Sequence, residues 1–391
     1  MVRRPRRSRT VVSVAGVSVA AAAVAVAGVS GALASPGSPA SAGTRIATAP
    51  ASASSGRHVP LHVATLTTKV VAPLQMSVTK KYGVLVGDAA ASKLLQIVRG
   101  GNVRTLAKGP QPGEISGVDV NRWGAVAYTS SNATTHTTGL TIRWRGKSRF
   151  VDLSAFETKK NPDKINHYGT TSTDACVTGF LKQTGTPASY TGVVDSHPYA
   201  VAAVRGGWVV AEAAGNDLLF VDNRGHVKLL AVLPPQPHVI TAADAKALGA
   251  PSCVVGITYA FEPVPTDVEV GRDGALYVTT LPGGPEAPGF SPRGSVYRVS
   301  ANGHHLRRLA TGFNGATNLA LTPSGRILVA ELFAGRISTI EHGRPAPVLK
   351  LDRVASLEFF RHAVFAGQNA PTDANGDPTG HGKVVRITVR W

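Results

Sequence analysis

Cysteine, acid and long apolar runs are all scarce in this sequence. Cys176 and Cys253 are the only cysteines in 391 residues, and neither has the paired spacing of a zinc site. A disulfide-dense small scaffold and a cysteine-rich metal domain are therefore excluded. Acids are outnumbered, 23 Asp and Glu against 41 Lys and Arg, for a net charge of +18. The cations are spread along the chain with no nucleic-acid-binding motif, so specific nucleic-acid recognition is not expected. The charge instead favours adhesion to anionic envelope polymers. Beyond residue 34 no apolar run is long enough to cross a bilayer, so no transmembrane segment is expected there. There is no G-x-S-x-G elbow, no H-E-x-x-H helix and no Gly-rich phosphate loop, which removes the usual signatures of a serine hydrolase, a zinc protease or a nucleotide enzyme. His167, His197 and His238 are scattered, and no spacing selects one as a general base.

The one long apolar run is at the start. Arg3, Arg4, Arg6, Arg7 and Arg9 precede residues 11–34, an unbroken stretch of Val, Ala, Gly, Ser and Leu. This reads as a secretory signal peptide over residues 1–34, cut after Ala34 or after Ala42. An uncleaved membrane anchor is the other reading of the same run. Residues 35–58 are Ser, Pro, Ala, Gly and Thr with little to bury, which predicts a disordered linker. Residues 59–391 remain for one folded domain. In an exported protein the two cysteines predict a Cys176–Cys253 disulfide.

That domain repeats itself. An apolar strand, a Gly turn, a second apolar strand ending in a carboxylate or hydroxyl, a loop, and two further strands recur at 198–233, 266–310 and 317–351. Units of four short strands are the signature of propeller blades. Less regular units at 76–107, 115–153 and 355–391 bring the count to six. The last unit yields only three strands, and residues 61–72 form a strand without an owner. The expected fold is all-β: a six-bladed β-propeller closed by an N-terminal strand pairing into the last blade. Helix is expected at one place only, residues 240–249, behind a Thr cap.

The loops are one-sided. Tight turns such as Arg272-Asp273-Gly274 and Pro323-Ser324-Gly325 fall on one face. Insertions at 130–138, 154–196, 234–264, 282–293 and 368–381 fall on the other, which is the expected binding face. At the channel mouth on that face the repeat alignment places Gln75, Ser116 or Gly117, Tyr199, Asp267, Asn318 and Ser356. A second ring holds Asp88, Thr129, Glu212, Thr280, Glu331 and Gly367. The candidate ligand-binding residues are Tyr199, Glu212, Asp267, Asn318 and Glu331. Oxygen donors at Asp267, Asn318 and Glu331 suit Ca²⁺ or another divalent cation, and they suit a structural role equally. No other cofactor is indicated. Asp373, Asn375 and Asp377 begin like a calcium loop, but Pro378 and Val384 occupy the positions that need Gly and Glu.

His197-Pro198-Tyr199, the run Ala211-Glu212-Ala213-Ala214-Gly215-Asn216-Asp217-Leu218-Leu219, and Pro265-Thr266-Asp267 with the strand at 273–278 resemble the ScyD/ScyE family of exported propellers. The resemblance covers roughly 197–351. His197 stands where the family has Asn, and Thr279-Thr280 replaces a Gly-Glu type ending. It implies a secreted six-bladed propeller on an NHL/SMP-30-like scaffold and carries no reaction with it. The expected function is binding of an extracellular small molecule, glycan or envelope component, by a monomer that is secreted, either free outside the cell or associated with the cell envelope. A divalent-metal-dependent hydrolase or lactonase at the channel carboxylates is the alternative.

Overall fold

The computed structural model describes residues 62–286, 289–373 and 376–388. The expected signal peptide and linker lie outside the described residues. The fold is all-β and is dominated by four-stranded antiparallel sheets. Sheet I runs Pro73–Thr79, Gly83–Asp88, Lys93–Ile97, Val103–Lys108, and sheet II runs Gly113–Val120, Val126–Asn132, Thr138–Trp144, Lys147–Asp152. Sheet III is Pro198–Val204, Gly207–Glu212, Asp217–Asp222, Val227–Val232, and sheet IV is Pro265–Val270, Leu276–Thr280, Gly294–Val299, Leu306–Phe313. Sheet V is Ala316–Leu321, Ile327–Glu331, Arg336–Glu341, Arg344–Lys350. Sheet VI is Val354–Phe360, Ala363–Gln368 and Gly382–Thr388, with His62–Val70 paired antiparallel on its outer edge.

Burial follows strand position. The first strand of sheet I is buried on both faces, whereas every residue of its last strand is half-buried or exposed. Six apolar clusters each join two neighbouring sheets: I with II, II with III, III with IV, IV with V, V with VI, and VI with I. Trp208, fully buried, anchors the cluster between sheets II and III. Gly274 and Gly325 close hairpins at φ of 73° and 81°, a conformation that costs glycine little.

Every first strand carries a bulge near its start. Leu74, Tyr199, Thr266, Thr317 and Ala355 are the extra residues, and sheet II has Ser116 and Gly117. This corrects the alignment from sequence. Tyr199 matches Thr266 and Thr317 rather than Asp267 and Asn318, because each of the three is the bulge residue that follows the strand's first paired position, and Ala200 is the residue that stands with Asp267 and Asn318. Val354 pairs with Gln368, so Gln368 rather than Gly367 ends its strand opposite the first residue.

A seventh four-stranded sheet, of Gln236–Val239, Thr258–Phe261, His167–Gly169 and Ser189–Thr191, is built wholly from the insertions. The expected helix is present as Ala242–Ala247, where Thr241 and Asp244 form a reciprocal capping box. Ser154–Lys160 and Ala175–Gln183 are helices that sequence reading missed, each too short for a clear period. Cys176 and Cys253 are joined, with Cα atoms 6.3 Å apart. No helix among the described residues is long and apolar enough to cross a membrane.

Candidate functional site

Inner-strand polar residues latch several sheets to their neighbours. Asp119 accepts the Ala203 amide at 2.7 Å, Asp267 the Leu319 amide at 2.9 Å, and Asn318 the Leu357 amide at 2.6 Å. Asn318 also donates to Gln75 Oε1 at 2.7 Å, and Gln75 donates to the Thr266 carbonyl at 2.8 Å. The bulge hydroxyls do the same work: Thr266 donates to the Ala316 carbonyl and Thr317 to the Ala355 carbonyl. Burial is the main reason that the Asp267 carboxyl is pushed up to about 7, with Asp119 repelling it and two backbone amides opposing the rise. Two residues further on, Glu269 is also pushed well up, by burial and by repulsion from Glu358, Asp267 and Asp119. Above this ring Leu74, Tyr199, Leu332 and Ala355 pack together as one buried apolar cluster.

The second ring consists of loop clamps. Asp88 accepts the amides of Val71 and Ala72 at 2.9 and 2.8 Å. Glu212 accepts from the Ser196 hydroxyl at 2.9 Å and from the Gly215 amide. Glu331 accepts the Asn314 amide at 2.7 Å and pairs with Arg336 at 2.6 Å, and Ser338 donates to it as well. Thr129 and Thr280 accept from Gly117 N and Gln236 Nε2, both at 2.7 Å. The structure thus places Asp267 and Asn318 in the inter-sheet ring and Glu212 and Glu331 at separate sheet ends. Among the described residues, the one set of three His, Cys, Asp or Glu ligand atoms lying within 4.8 Å of one another is Asp174, Cys176 and Cys253, and its sulfurs are spent in the disulfide. Asp373 and Asp377 bond to each other through backbone and carboxylate at 2.9 and 3.0 Å, an Asx-type turn, while Asn375 lies outside the described residues.

Two hollows stand out on the insertion-bearing face among the described residues. One is a cleft of about 570 Å³ beside the channel mouth, with Glu114, His136, Asp195 and His197 in its wall. His197 Nε2 lies 2.6 Å from Glu114, which also accepts the Ser116 hydroxyl at 2.6 Å. Burial disfavours the imidazolium, but Glu114, then Glu212 and Asp195, outweigh it and push the histidine up to about 9. A histidine held charged at neutral pH is a cationic anchor and not a general base.

The other hollow, about 400 Å³, lies inside the insertion module. Its wall is apolar and aromatic: Phe180, Leu181, Ile240, Val254, Ile257, Tyr259, Phe261 and Phe290. Tyr259 and Phe261 stand 4.7 Å apart between ring centroids, and Phe290 meets Phe261 edge-on at 6.5 Å. The Arg293 guanidinium backs both Phe261 and Phe290, at 4.6 and 4.3 Å. One carboxyl, Glu262, joins the wall and accepts the Tyr190 hydroxyl at 2.9 Å. Burial raises that carboxyl, against the hydrogen bonds from Tyr190 and Asn216. Sequence reading singled out none of these residues, because they come from three separate insertions and share no local period. The one local signal is the alternation in the Thr258–Phe261 strand.

No family model matches the chain, and no curated protein matches it in sequence. Solved structures do. Virginiamycin B lyase from Staphylococcus aureus is 13% identical over 85% of this chain and 99% of its own, at a TM-score of 0.46. The PQQ-bound aldose sugar dehydrogenase from Streptomyces coelicolor is 10% identical over 85% of this chain and 99% of its own, at a TM-score of 0.50. A luciferin-regenerating enzyme is 11% identical over 84% and 96%, at 0.48. At such identities the likeness bears on the fold alone. With the antiparallel four-stranded sheets it gives a β-propeller architecture.

Proposed function

We propose that this chain is an exported binding protein: a six-bladed β-propeller of the ScyD/ScyE kind, closed by its first strand, that holds a small and mostly apolar molecule in its insertion module. The observation that carries the reading is the cavity of about 400 Å³ enclosed by aromatic rings from three insertions. Small-molecule sites have this volume and this lining, with a few polar groups that orient the ligand. Glu262 and Tyr190 supply them, which favours an aromatic or terpenoid-sized ligand bearing a hydrogen-bond donor. An apolar wall favours such a molecule over a glycan. The disulfide supports an oxidising compartment, and the positive charge supports retention near anionic envelope polymer. A monomer suffices, since one chain encloses the cavity. The metal-dependent hydrolase reading needs Asp267, Asn318 and Glu331 free to coordinate, whereas each is committed to backbone amides or to Arg336.

The test is titration of the purified mature protein with N-phenyl-1-naphthylamine, an uncharged aromatic amine, followed by fluorescence. Saturable binding that Ile257→Trp abolishes, with melting unchanged, supports the reading. Absent or non-saturable binding, or binding indifferent to Ile257→Trp, overturns it.

A further inference from the structure

Among the described residues, six of the ten buried side-chain polar atoms without a hydrogen-bond partner belong to one neighbourhood, where the insertion at 154–196 meets sheet III: both oxygens of Glu157, both of Asp217, and one each of Asn161 and Asp163. Glu157 lies on the helix Ser154–Lys160 and Asp217 opens the third strand of sheet III, yet they are 1% and 0% exposed. Buried carboxylates without partners are costly, and native structures satisfy them with a proton, a cation or water. Glu212 stands directly across from Asp217 in the strand pair. A Cβ placed on Gly215 would come within 3.0 Å of Glu212 Oε2 and 3.2 Å of Glu157 Oε2, so glycine keeps open the space between these two acids. Among the described residues, no Lys or Arg pairs with any of the four acids in the neighbourhood.

We infer that Glu157 and Asp217, with Glu212 and Asp163 beside them, form a divalent-cation site that fastens the insertion at 154–196 to sheet III. The donors are all oxygen, and the group selects a hard cation of flexible coordination, calcium before zinc or copper. No three of these carboxylate oxygens lie within 4.8 Å of one another. The cation is therefore held by a pair of carboxylates directly, with water completing a shell that for calcium runs to about six to eight oxygens. The site is distinct from the cavity, so its failure would leave the cavity reading standing.

The competing occupant is the proton. Burial, then Glu212, Asp163 and Asp195, raise Glu157 to about 8, and burial with Glu212, Glu157 and Asp163 raises Asp217. Melting of the mature protein at pH 7.5 in EDTA and in CaCl₂, with calcium titration calorimetry, separates the two. The inference expects stoichiometric calcium and a rise of several degrees at about a hundredfold excess over Kd. It expects both lost in Glu157→Gln, Asp217→Asn and Gly215→Ala, each still folded by circular dichroism. Wild-type melting indifferent to CaCl₂ and EDTA, but falling as pH rises through about 8, would assign the site to protons and overturn the inference. So would a calcium shift that survives in all three variants.

Discussion

A carboxylate on an innermost strand has two possible occupations here, holding a ligand or holding the next sheet, and hydrogen-bond geometry decides between them. Asp267 accepts the Leu319 amide across a sheet boundary. Asp267→Ala removes that acceptor and strands a buried donor, so a loss of about 1–3 kcal/mol in urea unfolding is expected. Asp267→Asn keeps an acceptor and removes a raised carboxyl. In the wild type that group binds its proton more tightly folded than unfolded, so it costs stability as pH rises from about 4 towards 7. Asp267→Asn is expected to lack this decline, gaining on the wild type between pH 5 and pH 8, and parallel curves would refute the assignment. His197 carries the same sign over a higher window. Its raised affinity means that the stability it lends is present below its unfolded pKa of about 6.5 and lost as pH climbs through about 9. His197→Gln should therefore be less stable than wild type at pH 6, with the two denaturation midpoints converging near pH 10.

At the scale of elements, the strands were legible and the module was not. Period-two burial, Gly turns and a recurring length make each four-stranded unit readable from local residues, as in 198–233, which folds as sheet III without revision. Tyr199 belongs one position earlier in the repeat, with Thr266 and Thr317, because an apolar run marks a strand without fixing its register. The cavity depends on Leu181, Tyr259 and Phe290 meeting across 109 residues of chain, and nothing local to any of them announces the others. The cysteine pair was the one long-range clue, since oxidation predicts contact between distant insertions. It closes a loop of 77 residues, worth about 4 kcal/mol on chain-entropy grounds. Cys176→Ser with Cys253→Ser is expected to loosen the module and spare the six large sheets. Hydrogen exchange should quicken in Ala175–Gln183 and Thr258–Phe261 while Gly207–Glu212 stays protected, and naphthylamine binding should be lost. Uniform loss of protection would mean that the module and the sheets unfold as one unit.

For the whole molecule, what matters is how the first and last described strands meet. Six apolar clusters link neighbouring sheets in a cycle, and the link between sheets VI and I includes Val70 and Leu66 from the first described strand. His62–Val70 covers the edge of Gly382–Thr388 and leaves the next residues, Val71 and Ala72, tied to Asp88. Sheet VI therefore cannot be completed until segments more than three hundred residues apart have paired, which makes its completion a late and non-local event. Removing residues 62–70 would delete Val70, buried to 1% exposure, and uncover both the cluster and a strand edge. Burial of a valine and a leucine is worth about 3 kcal/mol or more, and an unpaired edge invites association between copies. The shortened chain is expected to melt earlier, in a broader transition, and to scatter light at concentrations where the full chain is monodisperse. A shortened chain with unchanged melting and scattering would show that the remaining strands of sheet VI hold the cycle closed unaided, so that the first strand merely covers an edge.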